Sequence, residues 1–350
     1  MADLLVYGSY GYTGNLVVEA AVRRGLEVVV AGRDRDRIEH QRGRLQCEAR
    51  VVSLDEPKSL DYALEEVPVV IHCAGPFADT YAPMVRACLR TGTQYLDITG
   101  EIEVFEAIAR MDEQARDAGV MLLPGAGFDV VPTDCLGAHL ADRLPDATSL
   151  ALGFDTSSGV SPGTARTVVR GLGDGVAIRR DGRIESVPTA ADTREIDFGR
   201  GERSAMLIPW GDVSTAYHTT GIPNVRVYQV THPRTIRLLR LLRHVEPLLG
   251  TGPVQSLLEW VVDRRVEGPD ERERADTRAD VWGEVENADG DRAVSRLETP
   301  NGYTLTARAA LEIAERVLDG DAPAGYQTPA SAYGPDLVCD VEGVEREDVV

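Results

Sequence analysis

Residues 6–25 read VYGSYGYTGNLVVEAAVRRG, with Gly8, Gly11 and Gly14 three residues apart between a strand-like run and an amphipathic one. A turn of this kind carries an anion at a helix N-terminus, where the dipole favours negative charge and a side chain would block the approach. Gly8 ends the first strand, Gly11 lets the backbone come close to a phosphate, and Gly14 lets the helix pack on the sheet. The spacing is G-x-x-G-x-x-G, one position away from G-x-G-x-x-G, so three glycines alone indicate only a phosphate loop. The strand before, the helix after and the strand that follows identify a dinucleotide loop. Ser9, Tyr10, Tyr12 and Thr13 add hydroxyls to it, and Thr13 is the expected helix N-cap.

Working outward, residues 1–125 alternate strand and helix with short connections. DLLVYG, EVVVAG, ARVVSL, VPVVIHCAG, QYLDIT and VMLLPG read as strands. Helical stretches are expected at 13–24, 34–45, 59–65, 82–91 and 104–118. Val/Ile/Leu runs between amphipathic helices predict a parallel sheet covered on both faces, so the fold class is α/β, a Rossmann-type doubly wound parallel sheet. After residue 134 the rhythm changes to Gly-punctuated segments, with turns at Asp174–Gly175 and Asp181–Gly182. That pattern predicts an inserted α+β second domain with antiparallel pairing. Residues 234–262 read as a helical pair broken near Pro247, and 278–304 as a hairpin leading into a last helix over 305–318. The domains expected are 1–128, 129–304, and a helix and tail at 305–350 returning to the first.

The end of the second strand distinguishes NAD from NADP. It reads VVVAGRDRDR, which puts Arg33 where the adenosine ribose lies. An acidic residue there binds both ribose hydroxyls, whereas arginine accommodates a 2′-phosphate. Asp34 is assigned to capping the next helix. The cofactor expected is therefore NADP(H). Ligands in open α/β sheets sit outside the carboxyl ends of the strands. Three further ends matter: HCAGPF (72–77), YLDITGE (95–101) and PGAGFDVVPTD (124–134). Hydride transfer needs placement of the nicotinamide and one proton donor. Asp97, Asp129 and Tyr12 are the candidate catalytic residues, with Tyr95, Glu101 and His72 weighed beside them and His72 read as a core residue.

Taken in order, YGSYGYTG, AGRDRDRI, HCAGPF, YLDITGE and GFDVVPTD resemble the saccharopine dehydrogenase-like (saccharopine reductase-fold) oxidoreductases. The likeness is strongest to the branch with the trans-acting enoyl reductases. The resemblance implies cofactor roles for Gly8, Gly11, Tyr12, Thr13, Gly14, Arg33, Ala74, Gly75 and Pro76, with Ser9 and Tyr10 beside them. It also implies a substrate and dimerisation domain, hence a homodimer. The activity it implies is NADP(H)-dependent hydride transfer to a C=C or C=N/C=O group of a small or lipid-like substrate. A non-catalytic NADP-binding regulator or sensor is the other reading.

Composition narrows the partners. The chain has 57 Asp and Glu against 37 Lys and Arg, a formal net charge of −20. Such a field repels phosphate backbones, so no nucleic-acid partner is expected. It reads as an acidic, halophilic surface in a cytoplasmic protein, with neither signal peptide nor membrane span expected. Lys58 is the one lysine, which disfavours Schiff-base chemistry, and five scattered cysteines indicate neither disulfides nor a metal site. Arg234, Arg237, Arg240 and Arg243 recur every three residues among leucines. This band suits a lipid headgroup surface or a phosphorylated, lipid-like substrate, or else acidic neighbours or a partner subunit.

Overall fold

The computed structural model describes residues 2–156, 159–171, 175–242, 252–266 and 268–350. They fall into two compact units: Met1–Val131 with Tyr303–Ala332, and Pro132–Gly302 with Tyr333–Val350.

The first unit begins with β1 (Leu4–Tyr7), α1 (Tyr12–Arg23), β2 (Val28–Gly32), α2 (Arg35–Leu45), β3 (Glu48–Val51) and α3 (Pro57–Leu64). It continues with β4 (Val69–His72), α4 (Phe77–Thr91), β5 (Gln94–Asp97), α5 (Ile102–Ala109), α6 (Asp112–Ala118) and β6 (Met121–Leu123). The strands pair in parallel in the order β3-β2-β1-β4-β5-β6. Chain order therefore reverses between β1 and β4, the topological switch point at which such sheets bind ligands. Every residue of β1 and β4 is buried, as strands covered on both faces must be. Two helices differ from expectation. The 104–118 helix is two, α5 and α6, broken at Arg110 and Met111. Helix α4 starts at Phe77 and runs through Pro83, because Glu101 from another loop accepts from the Phe77 and Ala78 N–H groups at 2.9 and 2.7 Å.

The second unit contains α7 (Val131–Arg143), β7 (Ser149–Thr156), α8 (Pro162–Arg170), β8 (Val176–Arg180), β9 (Arg183–Val187), β10 (Thr193–Asp197) and β11 (Glu202–Leu207). Next come α9 (Asp212–Thr220), β12 (Asn224–Val230), α10 (Pro233–Leu242), α11 (Gly252–Arg265), α12 (Glu271–Asp276), β13 (Arg278–Glu286) and β14 (Arg292–Pro300). Its sheet is mixed: β12 and β7 run parallel, and the other pairs are antiparallel. The Asp181–Gly182 turn forms as expected, both residues having positive φ between β8 and β9. Asp174 and the expected break near Pro247 lie outside the described residues.

The chain then returns. Helix α13 (Gly302–Leu318) belongs to the first unit from Tyr303 on, and β15 (Gly325–Tyr326) adds a parallel strand beside β6. Leu305, Ala309, Leu311, Ile313 and Ala314 of α13 are fully buried or nearly so. The expected return of all of 305–350 needs correction, because residues 333–350 pack with the second unit. There β16 (Glu345–Asp348) pairs antiparallel with β14, and Asp348 accepts from Ser295 Oγ at 2.7 Å. A final strand-length segment of mostly charged residues carries no period that reveals its partner.

Because α13 completes the first core, Leu311→Ala should lower the unfolding free energy by about 2–5 kcal/mol in urea denaturation. A cost below about 1 kcal/mol, that of a surface substitution, would contradict this packing.

Candidate functional site

The glycine loop is built around one close approach. A Cβ on Gly14 would lie 2.3 Å from the carbonyl oxygen of Gly8 and 3.0 Å from Ser9 Cα, which are backbone atoms with nowhere to go. Gly8 has φ +76°, and a Cβ there would lie 2.8 Å from that of Ala74. The loop therefore rests against the β4 end, and the structure brings Gly8 and Ala74 together at the switch point. Gly8 N–H donates to Ala31 O at 2.8 Å, and Gly11 N–H to Gly8 O at 2.9 Å. The N-cap of α1 is Gly11, with no side-chain cap and no acidic residue in the first turn. Thr13 is thus inside the helix, and its expected capping role is corrected. Without a side-chain cap, the helix start keeps the donor geometry that a pyrophosphate needs.

The β2 end supplies the adenosine side. Arg33 is exposed there, and Asp34 caps α2 by accepting from Arg37 N–H at 3.1 Å, as expected. The Tyr10 ring packs on Gly32, and the Arg37 guanidinium stands 5.5 Å from its centroid. Tyr10, Asn15, Asp36, Arg37, His40, Gln41 and Arg44 line a cleft of about 520 Å³. Gln41 ties α2 to the loop, donating from Nε2 to Ser9 O at 2.9 Å. Reading the sequence singled out Arg33 and passed over Arg37, whose signal was its place in the first turn of α2. A dinucleotide with a 2′-phosphate fits this set: a loop with glycine at its close approaches, a helix start without a side-chain cap and two arginines at the β2 end.

The remaining strand ends separate braces from candidates for chemistry. His72 is buried among Tyr7, Phe77 and Tyr95, its Nε2 3.0 Å from Thr80 Oγ1. Burial pushes its pKa down to about 3, so it is a neutral core residue. Thr80 Oγ1 in turn donates to Ala74 O at 2.7 Å, which holds the Ala74–Gly75–Pro76 loop. Asp97 is also buried. Its Oδ2 accepts from Tyr95 at 2.6 Å, and its Oδ1 from the N–H groups of Thr99 and Gly125, both at 2.9 Å. Desolvation raises its pKa to about 6 against these hydrogen bonds. With these three hydrogen bonds directed at protein, Asp97 braces two loops. Asp129 differs. Its side chain is half-buried against Gly100, and it has no hydrogen-bond partner among the described residues. Desolvation alone pushes its pKa up to about 7. Tyr12 is half-buried, edge-on to Tyr303 at 5.0 Å between centroids. Thr306 accepts from Phe128 N–H at 3.0 Å. These α13 residues are far along the chain, and no local pattern announced them. Among the described residues, no group of His, Cys, Asp or Glu is arranged to hold a metal, and no helix is long and apolar enough to cross a membrane.

The glycine loop and the switch point define a dinucleotide-binding α/β domain. Residues 4–123 match the family described as saccharopine dehydrogenase NADP binding domain. The match spans β1 to β6 of the first unit. A saccharopine dehydrogenase-like oxidoreductase of Bos taurus is 30% identical over 197 residues, 49% of this chain and 46% of that protein. A trans-acting enoyl reductase of Mycobacterium leprae is 32% identical over 140 residues, 38% of this chain and 34% of that one. The chain thus spans about half the length or less of the curated relatives it matches. In fold it is similar to apo saccharopine dehydrogenase (L-Glu forming) from Saccharomyces cerevisiae, with TM-score 0.64, 14% identity and 99% of both chains covered. A homospermidine synthase of Legionella pneumophila in complex with NAD gives TM-score 0.65 at 11% identity, covering 99% of this chain and 91% of that one.

The raised pKa of Asp129 has a signed consequence. A carboxyl that binds its proton more tightly when folded contributes stability below its unfolded pKa near 4, and that contribution is lost as pH rises through about 7. Asp129→Asn removes this loss. Its melting temperature should therefore rise relative to the original chain between pH 4 and pH 8, and parallel profiles would contradict the assignment.

Proposed function

We propose that the protein is an NADP(H)-dependent oxidoreductase that reduces a C=C or C=N/C=O group of a small or lipid-like substrate, with enoyl reduction the favoured form. The observation that carries this reading is Asp129: a half-buried carboxyl beside the strand-end loops, poised near neutral pH and without a protein partner. A general acid works best when its pKa lies near the operating pH. The relatives named as enoyl reductases support the C=C form.

When bound, NADPH supplies the hydride. The backbone of Gly8, Ser9, Tyr10, Gly11, Tyr12, Thr13 and Gly14 would hold the pyrophosphate, and Arg33 with Arg37 would hold the 2′-phosphate. Ala74, Gly75 and Pro76 leave room for the ribose. Asp129 delivers the proton to the atom next to the one that receives hydride, and is reprotonated from solvent. Asp97 keeps the loop that begins at Gly125 in place. Tyr12 orients the loop through its contact with Tyr303.

Loss of NADPH absorbance across a panel of enoyl thioesters, unsaturated ketones, imines and aldehydes tests this. Turnover is expected with at least one class, with a rate that falls as pH rises through about 7. Asp129→Asn should lower kcat by about 10²–10⁴-fold with NADPH affinity unchanged. No turnover on any class would favour a non-catalytic NADP sensor, and an unchanged kcat in the variant would remove Asp129 from the chemistry.

A further inference from the structure

Helix α10 (Pro233–Leu242) is amphipathic in a way that the second unit does not use up. On its inner stripe, Ile236 is 5% exposed, and Arg240 donates to Ala190 O at 3.2 Å and Thr193 Oγ1 at 3.0 Å, mooring the helix beside β10. Residues 234, 237, 238 and 241 lie at i, i+3, i+4 and i+7, so they share the opposite stripe. There Leu238 is 53% and Leu241 74% exposed, beside the exposed Arg234 and Arg237. Neither arginine has an ion-pair partner among the described residues. The three-residue arginine spacing drifts around a 3.6-residue helix, which is why Arg240 turns inward. Arg243 lies outside the described residues.

The surrounding sequence gives the stripe its sign. A chain with 57 acidic residues has none between Asp212 and Glu246, whereas the same segment carries Arg226, Arg234, Arg237, Arg240 and Arg243. The two outward arginines, without ion-pair partners among the described residues, complement an anionic surface. Two leucines alongside two arginines, on a stripe about 10 Å long, have the composition of a helix that lies in a lipid interface. The guanidinium groups meet headgroup phosphates while the leucines enter the acyl boundary. The overall charge of −20 repels the same surface, and at about 0.15 M salt that repulsion is screened within about 8 Å. The contact is thereby limited to this stripe.

We propose that α10 docks the protein on an anionic lipid bilayer through Arg234, Arg237, Leu238 and Leu241. The proposal is independent of the hydride chemistry, since it uses no residue of the first unit.

Co-sedimentation of the full chain with vesicles of equal phosphatidylglycerol and phosphatidylcholine, compared with phosphatidylcholine alone, tests it. Binding is expected to the anionic vesicles only. The Arg234→Gln/Arg237→Gln double variant should bind about thirtyfold more weakly at about 1 kcal/mol per arginine. Leu238→Ser/Leu241→Ser should bind about tenfold more weakly or worse. All four side chains are exposed, so both variants should keep the original melting temperature and NADPH affinity, which separates lost docking from lost folding. No binding, equal binding to both vesicles, or binding that survives both double variants would overturn the proposal. So would finding that the leucine variant converts a dimer to a monomer without any vesicle binding, which would make the stripe an interface between two copies.

Discussion

The first unit depends on how closely the start of α1 approaches the end of β1. The Gly8 carbonyl and the Gly14 Cα are near enough that a methyl group at residue 14 would overlap the oxygen. That contact sets the angle at which α1 leaves the sheet, and with it the direction of the helix dipole at the switch point. It also seats Gly8 against Ala74, so the β1 and β4 loops share one surface. Tyr10 and Gln41 extend the arrangement to the β2 end, the first by packing on Gly32 and the second by holding Ser9 from α2. A phosphate site in this fold is a backbone construction, and side chains act by staying out of it or by holding it from behind.

On the other side of the switch point, the two acids divide the work. Asp97 is placed where ionisation is costly, yet three donors converge on it, so the cost is offset by hydrogen bonds that join β5 to the 125–126 loop. Removing such a partner leaves donors unpaired, which is why a group of this kind is structural even at the end of a strand. Asp129 has the desolvation without the donors. Its carboxyl is the one whose proton is available, and the contrast arises from where each loop turns rather than from residue type.

Elements whose partners are local could be read from the chain. The parallel strands followed from their Val/Ile/Leu runs, α2 from Asp34, the β8–β9 turn from Asp181–Gly182, and the cofactor loop from glycine spacing. What escaped were contacts across long separations. Glu101 caps α4 from a different loop, which moved its start from residue 82 to Phe77. Tyr303 reaches Tyr12 across 291 residues of sequence and Thr306 reaches Phe128 across 178. Asp97 and Asp129 looked equivalent as acids near strand ends, and only burial and hydrogen bonding told them apart. Residues 345–348, all charged, gave no period from which to infer that β16 joins the second sheet.

The second unit is a mixed sheet with α10 at its surface, and the glycine loop and switch point belong to the first. The dinucleotide site is built from residues of the first unit alone. Titrating the protein with NADPH and with NADH, followed by nicotinamide fluorescence, measures its preference directly. NADPH is expected to bind more tightly by tenfold or more, about 1.4 kcal/mol, with the preference lost in an Arg33→Ala/Arg37→Ala variant. Equal affinity for the two cofactors, or a preference that survives the double substitution, would contradict the site described.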